Sequence, residues 1–314
     1  MAVGQALCRS AAASAAATAE RPDQLVLCRC NELTTLLRPG RAHSFASPGV
    51  TGAPPPNRVN HMSLIRSLRG FLSNRPSCRT MDLDPAEAYD LWAATYDDQP
   101  ANLMLQLEAA VFDQLLAQAN LRGKTVLDIG CGTGRNWPKI LAAHPALLTG
   151  CDVSAEMLRL LQQKHPGAKT LLLPRNSHAL PDMKDASVGA MISTLAAAHI
   201  PDLRGALSEW NRVLRDDGEV LVTDYHPAAL ARGADRTFRC QGQTISIKNH
   251  VHPLSEMKHW MRDLGWAQVQ FIEREIDESM KPAYEAQRAL RVYERFLHVP
   301  ILYGWRIRKH AHAA

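Results

Sequence analysis

Two carboxylates and three glycines pose the chemical question. In VLDIGCGTGRN (126–136), Asp128 follows an apolar run, and Gly130, Gly132 and Gly134 come at every second position. A second apolar run, LLTGCD, ends on Asp152, 22 residues after Gly130. Glycine lets a backbone come close to a ligand. A dinucleotide site would read G-x-G-x-x-G, with pyrophosphate resting on the next helix N-terminus. Here Arg135 takes the place of that pattern's last glycine, and Asp128 would repel pyrophosphate. A carboxylate in that position attracts an ammonium group, directly or through water. A carboxylate on the neighbouring strand tip can accept both ribose hydroxyls. The pattern therefore suits a nucleoside that carries a cationic amino-acid tail.

The flanking residues extend this reading. Val153 and Met157 offer apolar surface to an adenine face, and Ser154 is placed to cap the helix that follows. Cys131 lies within the glycine loop, where small size at a close-packed turn explains it better than nucleophilic chemistry. Histidines suited to proton transfer fall beyond two later strands: His199 after MISTLAAAHI, and His226 in LVTDYHP, next to Asp224 and Tyr225. His226 can equally be a structural cap before Pro227. His250 and His252 alternate and would share one strand face, but no acid or cysteine gathers with them, so no metal is expected.

These residues need a frame. Apolar runs at Thr125–Ile129, Leu147–Asp152, Lys169–Leu173, Ser187–Ser193, Glu219–Asp224 and Ala267–Ile272 read as strands. Helical patterns at about 134–143, 154–164, 201–214 and 253–264 separate most of them. That alternation predicts an α/β fold, a parallel sheet covered by helices on both faces. PAEAYDLWAATYDD and NLMLQLEAAVFDQLLAQA read as two preceding helices. RDDGEV reads as a helix-to-strand turn with Gly218 left-handed. Two insertions interrupt the order. Within 226–252, RTFRCQGQTISIKNHVH reads as a β-hairpin turning at Gln241-Gly242; residues 281–297 read as one amphipathic helix. PILYGWRIRK then reads as an antiparallel edge strand. A partly apolar acceptor is expected under the two insertions.

Composition divides the chain. Residues 1–80 hold ten arginines, no lysine and three acids, about +7, so residues 81–314 sum to about −2 within an overall +5. The folded body therefore gives no charge argument for nucleic acid. Residues 1–61 are Ala-, Ser-, Pro- and Arg-rich, which suits disorder, an organelle transit peptide, or a start assigned ahead of Met62 or Met81. Residues 62–80 form a basic amphipathic stretch whose apolar face over 62–73 suits a short packed helix or weak membrane-surface contact. Seven cysteines without paired zinc spacing point to a reduced compartment, cytoplasmic, or mitochondrial if the leader is a transit peptide.

VLDIGCGTG together with DVSAEML resembles the class I S-adenosylmethionine-dependent methyltransferases, in particular the branch typified by ubiquinone and menaquinone biosynthesis, over about residues 85–273. The resemblance implies a Rossmann-like seven-stranded sheet of order 3-2-1-4-5-7-6 with strand 7 antiparallel. It implies S-adenosylmethionine as cofactor. Gly130, Cys131 and Gly132 would border the methionine part, Asp128 its amino group and Asp152 the ribose. Tyr96, in YDLWAATYD, would reach the cofactor from a lid helix, and Asn176 and Ser177 would lie over the adenine. Strand four departs from the pattern, with Gly189 where an aspartate is frequent and a single His199 where two histidines are. The resemblance implies methyl transfer to a small molecule. A protein or RNA methyltransferase and a non-catalytic cofactor-binding assembly factor remain as alternatives; a dehydrogenase is disfavoured by Arg135 and Asp128.

Overall fold

The computed structural model describes residues 80–99, 102–175 and 179–310. The leader and the 62–73 amphipathic stretch lie outside the described residues, as do Asn176 and Ser177.

In chain order the elements begin with β1 (Met81–Leu83), α1 (Pro85–Trp92) with a 3-10 turn at Ala93–Thr95, and α2 (Leu103–Gln118). There follow β2 (Thr125–Ile129), α3 (Trp137–Ala142), β3 (Leu147–Asp152), α4 (Ala155–Lys164), β4 (Lys169–Leu172), β5 (Val188–Thr194) and α5 (Leu203–Val213). The remainder is β6 (Leu214–Tyr225), α6 (Pro227–Ala231), β7 (Arg236–Cys240), β8 (Gln243–Ile247), α7 (Leu254–Asp263), β9 (Trp266–Glu275), α8 (Lys281–Ala286), α9 (Leu290–Phe296) and β10 (Pro300–Lys309).

The main sheet runs β4-β3-β2-β5-β6-β10-β9, parallel from β4 to β6, with β10 antiparallel to both of its neighbours. This is the expected 3-2-1-4-5-7-6 order. Strand periodicity sends alternate residues to opposite faces. Leu127, Ile129, Met191, Val220 and Val222 pack with Trp210 of α5 and Met261 of α7. Val126, Ala190, Ile192 and Leu221 pack with Phe112 and Leu115 of α2, Trp137 and Ile140 of α3, and Leu158 and Leu161 of α4. Each fully buried large side chain contributes roughly 1.5–3 kcal/mol, so both faces are firmly seated.

Three local expectations are corrected. The 281–297 stretch is two helices, α8 and α9, broken where Arg288 takes φ 55°. β10 lies inside the sheet rather than at its edge, and Arg306 on it donates to the buried Glu219 of β6 at 2.9 Å. At the RDDGEV turn the left-handed residue is Asp217, φ 60°. Gly218 serves a different need, since a Cβ there would meet Leu214 Cγ at 2.6 Å.

A second, three-stranded sheet of order β1-β8-β7 stands apart. The expected hairpin turns at Gln241 and Gly242, φ 49° and 78°, as a two-residue loop with both angles positive allows. β1 pairs in parallel with β8 (Met81↔Ile245), a strand too short to show any periodicity in the sequence. This sheet packs on α1: the Trp92 ring stacks on Phe238 with centroids 4.6 Å apart, among Ala88, Ile245 and Ile247.

Candidate cofactor and acceptor site

A cavity of about 320 Å³ lies beyond the carboxyl ends of the parallel strands, where the strand order reverses between β2 and β5. Its size falls within the roughly 300–1,000 Å³ of small-molecule sites. Ile129, Gly130 and Gly132 line it from β2 and its loop, Asp152 and Val153 from β3, and Met157 from α4. Thr194 at the end of β5, Leu195, Ala196 and His199 complete that wall; Asp84 to Glu87, Tyr89 and Tyr96 face it from α1 and its two ends.

Asp152 is 7% exposed, and its two oxygens accept from the Gly132 N–H at 2.8 Å and the Ser154 N–H at 2.9 Å. Burial pushes its carboxyl above the ordinary value, while these amide bonds hold it back. Both oxygens are thus oriented by backbone and keep lone pairs for further donors. Ser154 caps α4, its Oγ accepting from the Met157 N–H at 3.2 Å. Gly130 has φ 68°, and a Cβ there would overlap the Cβ of Ala196 across the loop.

Asp128 and Cys131 are placed differently from expectation. Asp128 is 3% exposed and lies outside the cavity lining; its Oδ2 accepts from Trp137 Nε1 at 3.0 Å. Burial raises its carboxyl to about 7, with the Trp137 bond opposing. Cys131 packs into the core with Trp137 and Leu148, and its N–H is spent on the Cys151 carbonyl at 3.1 Å. Burial pushes its thiol well up, so it is no nucleophile at neutral pH.

The two histidines part company. His226 is outside the lining: its Nδ1 accepts from the Ala228 N–H at 3.0 Å, capping α6, and its Nε2 donates to Glu273 Oε1 at 3.0 Å. The catalytic expectation for His226 is therefore replaced by the structural one. His199 lines the cavity. Its Nδ1 faces the Lys248 carbonyl at 2.8 Å, and an oxygen of that kind only accepts, so the proton sits on Nδ1. Its Nε2 then accepts from the Tyr89 hydroxyl at 3.0 Å. Burial lowers the ring to about 4, so it stays neutral.

The sequence reading missed Tyr89 and Arg236. Tyr89 and Tyr96 are seven residues apart on one face of the α1 region, a spacing that could have drawn attention to both. Arg236 opens β7 and donates from Nη2 to the Tyr96 hydroxyl at 2.9 Å. Its alternation with Phe238 on a hairpin strand was the available signal. Two further acids fasten the α1 region over the site. Asp90 accepts from Ser154 Oγ at 2.6 Å and the Glu156 N–H at 3.2 Å. Asp97 accepts from Thr133 Oγ1 at 2.8 Å and Lys164 Nζ at 2.9 Å. The acceptor-side insertions do not line the cavity: no residue of 226–252 or 281–297 belongs to its wall. His250 and His252 stack with centroids 6.2 Å apart, and among the described residues no cluster of three metal-ligating side chains forms.

This arrangement can be set beside known proteins. Residues 127–222 match the family model described as a methyltransferase domain. Over these residues, from within β2 to within β6, the chain is similar to methyltransferases. The O-methyltransferase rstn1 of Aspergillus nomiae is 31% identical over 125 residues, 36% of this chain and 55% of that protein. The malonyl-[acyl-carrier protein] O-methyltransferase of Methylococcus capsulatus is 35% identical over 178 residues, 54% of this chain and 62% of that protein. The chain thus matches between about half and three-fifths of the length of these relatives. A crystal structure from Listeria monocytogenes, described as a putative S-adenosylmethionine-dependent methyltransferase, covers 66% of this chain and 100% of its own at TM-score 0.51 and 19% identity. That likeness concerns the fold. S-adenosylmethionine fits the residues present: a buried carboxylate at Asp152 with lone pairs left for hydroxyl donors, a close-approach loop at Gly130 and Gly132, and apolar Val153 and Met157 beside them.

Proposed function

We propose that this protein is an S-adenosylmethionine-dependent methyltransferase acting on a small, partly apolar molecule. The observation that carries the reading is Asp152, a buried carboxylate with both oxygens oriented by backbone amides, opening onto the same cavity as Tyr89, Tyr96 and His199. One cavity thus offers a nucleoside wall and a second polar wall. The names of the two curated relatives, both O-methyltransferases, support a small-molecule acceptor.

The cofactor supplies a methyl group on a cationic sulfur; the chain supplies position. Asp152 accepts the ribose hydroxyls, the glycine loop brings backbone against the methionine part, and Val153 and Met157 flank the base. Tyr96 faces the acceptor opposite, beside Tyr89 and His199, which are bonded to each other. Fixing two reactants in line is worth roughly 7–11 kcal/mol of a transfer barrier. The bonds of Asp90 and Asp97 hold the α1 region against α4 and the glycine loop.

Calorimetric titration of the full chain with S-adenosylhomocysteine tests the reading. Binding is expected, with loss in Asp152→Ala and Gly130→Val. Unchanged affinity in both variants would refute the site. Labelled cofactor incubated with a metabolite extract then identifies the methylated product.

A further inference from the structure

Arg236 is 2% exposed, and among the described residues no carboxylate lies within ion-pair distance of it; the buried Asp224, whose oxygens accept from the Ala198 and Tyr225 N–H groups, acts on it only through space. Its Nε has no hydrogen-bond partner, and its guanidinium carbon lies 5.6, 5.5 and 5.8 Å from the ring centroids of Tyr89, Trp92 and Tyr96. A buried cation is ordinarily matched by an anion, because desolvating it alone is costly. Aromatic faces offset part of that cost but leave Nε unsatisfied. The bond to Tyr96 also fixes a direction. A guanidinium only donates, so the Tyr96 oxygen accepts, and the phenolic proton is left to point elsewhere. Tyr96 lines the cavity. Next to it, Tyr89 has spent its own proton on His199. Of Tyr89, Tyr96 and His199, Tyr96 is thus the one with a donor to spare, and it is backed by a buried positive charge.

Resting on the methyltransferase reading above, we propose that the acceptor is a carboxylic acid on an apolar chain, its carboxylate accepting from the Tyr96 hydroxyl with Arg236 behind as the positioning charge. A carboxylate is already ionised at neutral pH and needs no base to become nucleophilic. That agrees with the histidines, since both ring nitrogens of His199 are occupied and His226 lies elsewhere. One carboxylate oxygen forms a bond to the methyl carbon as the sulfur–carbon bond breaks, its electron pair going to sulfur. The products are a methyl ester and a neutral thioether; no proton moves and no co-reactant is required. A cation and an anion become two neutral species, a change favoured by any site less polar than water. Ile129, Ala196, Ile200 and Leu180 leave apolar surface for the chain of the acid.

Arg236 stabilises the bound carboxylate more than the charge-dispersed transition state, so its effect belongs to binding. The test uses the full chain saturated with S-adenosylhomocysteine and titrated with octanoate, dodecanoate and hexadecanoate, each beside the matched alcohol and amine. At least one carboxylate is expected to bind tenfold or more tightly than its alcohol and amine. Arg236→Met is expected to weaken that binding at least tenfold with S-adenosylhomocysteine affinity kept, and Arg236→Lys to restore part of it. Tyr96→Phe, which keeps the ring and its packing, covers the case in which the methionine variant misfolds, and is expected to lose the same preference. With labelled cofactor, Arg236→Lys is expected to raise KM for the acid more than it lowers kcat. Binding of S-adenosylhomocysteine without any preference for carboxylates, or with a preference untouched by Arg236→Lys and Tyr96→Phe, would overturn this inference alone. Failure of S-adenosylhomocysteine to bind would overturn the methyltransferase reading, and this one with it.

Discussion

His199 accepts the phenolic proton of Tyr89 at 3.0 Å while its other nitrogen donates to the Lys248 carbonyl at 2.8 Å. The ring is thereby locked in one tautomer as an uncharged acceptor. Burial lowers it to about 4 from 6.5. The unfolded chain then binds the proton first, and this group's contribution to stability, complete above about 6.5, is lost as pH falls towards about 4. His199→Gln, which can supply one donor and one acceptor, is expected to flatten that part of the acid-denaturation curve. It should change kcat only a few-fold, whereas removing a general base costs roughly 100- to 10,000-fold. A loss of that size, together with a vanished limb in the pH–rate profile, would restore His199 as a base.

The buried carboxyl of Asp128 gives the opposite sign. Its value is raised to about 7 from 3.8, so the folded state holds the proton longer and stability drops as pH rises through that window. Asp128→Asn keeps an oxygen for Trp137 and is expected to raise the melting temperature relative to wild type at pH 8, with the difference shrinking steadily towards pH 4. Because Asp128 lies outside the cavity lining, affinity for S-adenosylhomocysteine should fall less than tenfold. A complete loss of binding would show that its carboxylate reaches the cofactor after all.

Gly130 meets two constraints at once, a left-handed backbone at φ 68° and the adjacent Ala196. Gly130→Ala is expected to cost about 2–4 kcal/mol from the combined strain and overpacking. Urea denaturation measures it; a cost below about 0.5 kcal/mol would mean that the loop yields freely.

Asp90 fastens α1 to the first turn of α4 through Ser154 and Glu156. Asp90→Ala removes both bonds and is expected to speed release of S-adenosylhomocysteine about tenfold, corresponding to roughly 1.4 kcal/mol. Proteolytic cleavage within residues 84–99 should rise in parallel. Stopped-flow release at the wild-type rate would argue that the α1 region is held by its apolar packing on the hairpin alone.

The parallel sheet and the Asp152 wall were legible in the sequence because their signals are local. The strand, the glycine turn and the capped helix follow one another within a few residues, and each constrains the next. The second polar wall was not, since Tyr96 and Arg236 are 140 positions apart and meet only when the hairpin folds onto α1. His226 shows a different difficulty: a histidine before proline at a strand tip is placed equally well to take a proton or to cap a helix, and only the Ala228 bond decides. The 281–297 pattern carried helical periodicity throughout and could not reveal the left-handed residue at Arg288.

β10 fills the slot between β6 and β9, and it is the last of the seven strands to be synthesised. Until it emerges from the ribosome, both neighbours present open ladders facing each other across a gap one strand wide. The nascent sheet is thus exposed to mispairing for the whole interval between residues 275 and 300. A stop codon anywhere in that interval would leave the nucleotide half of the molecule with every residue it needs and a sheet that cannot close.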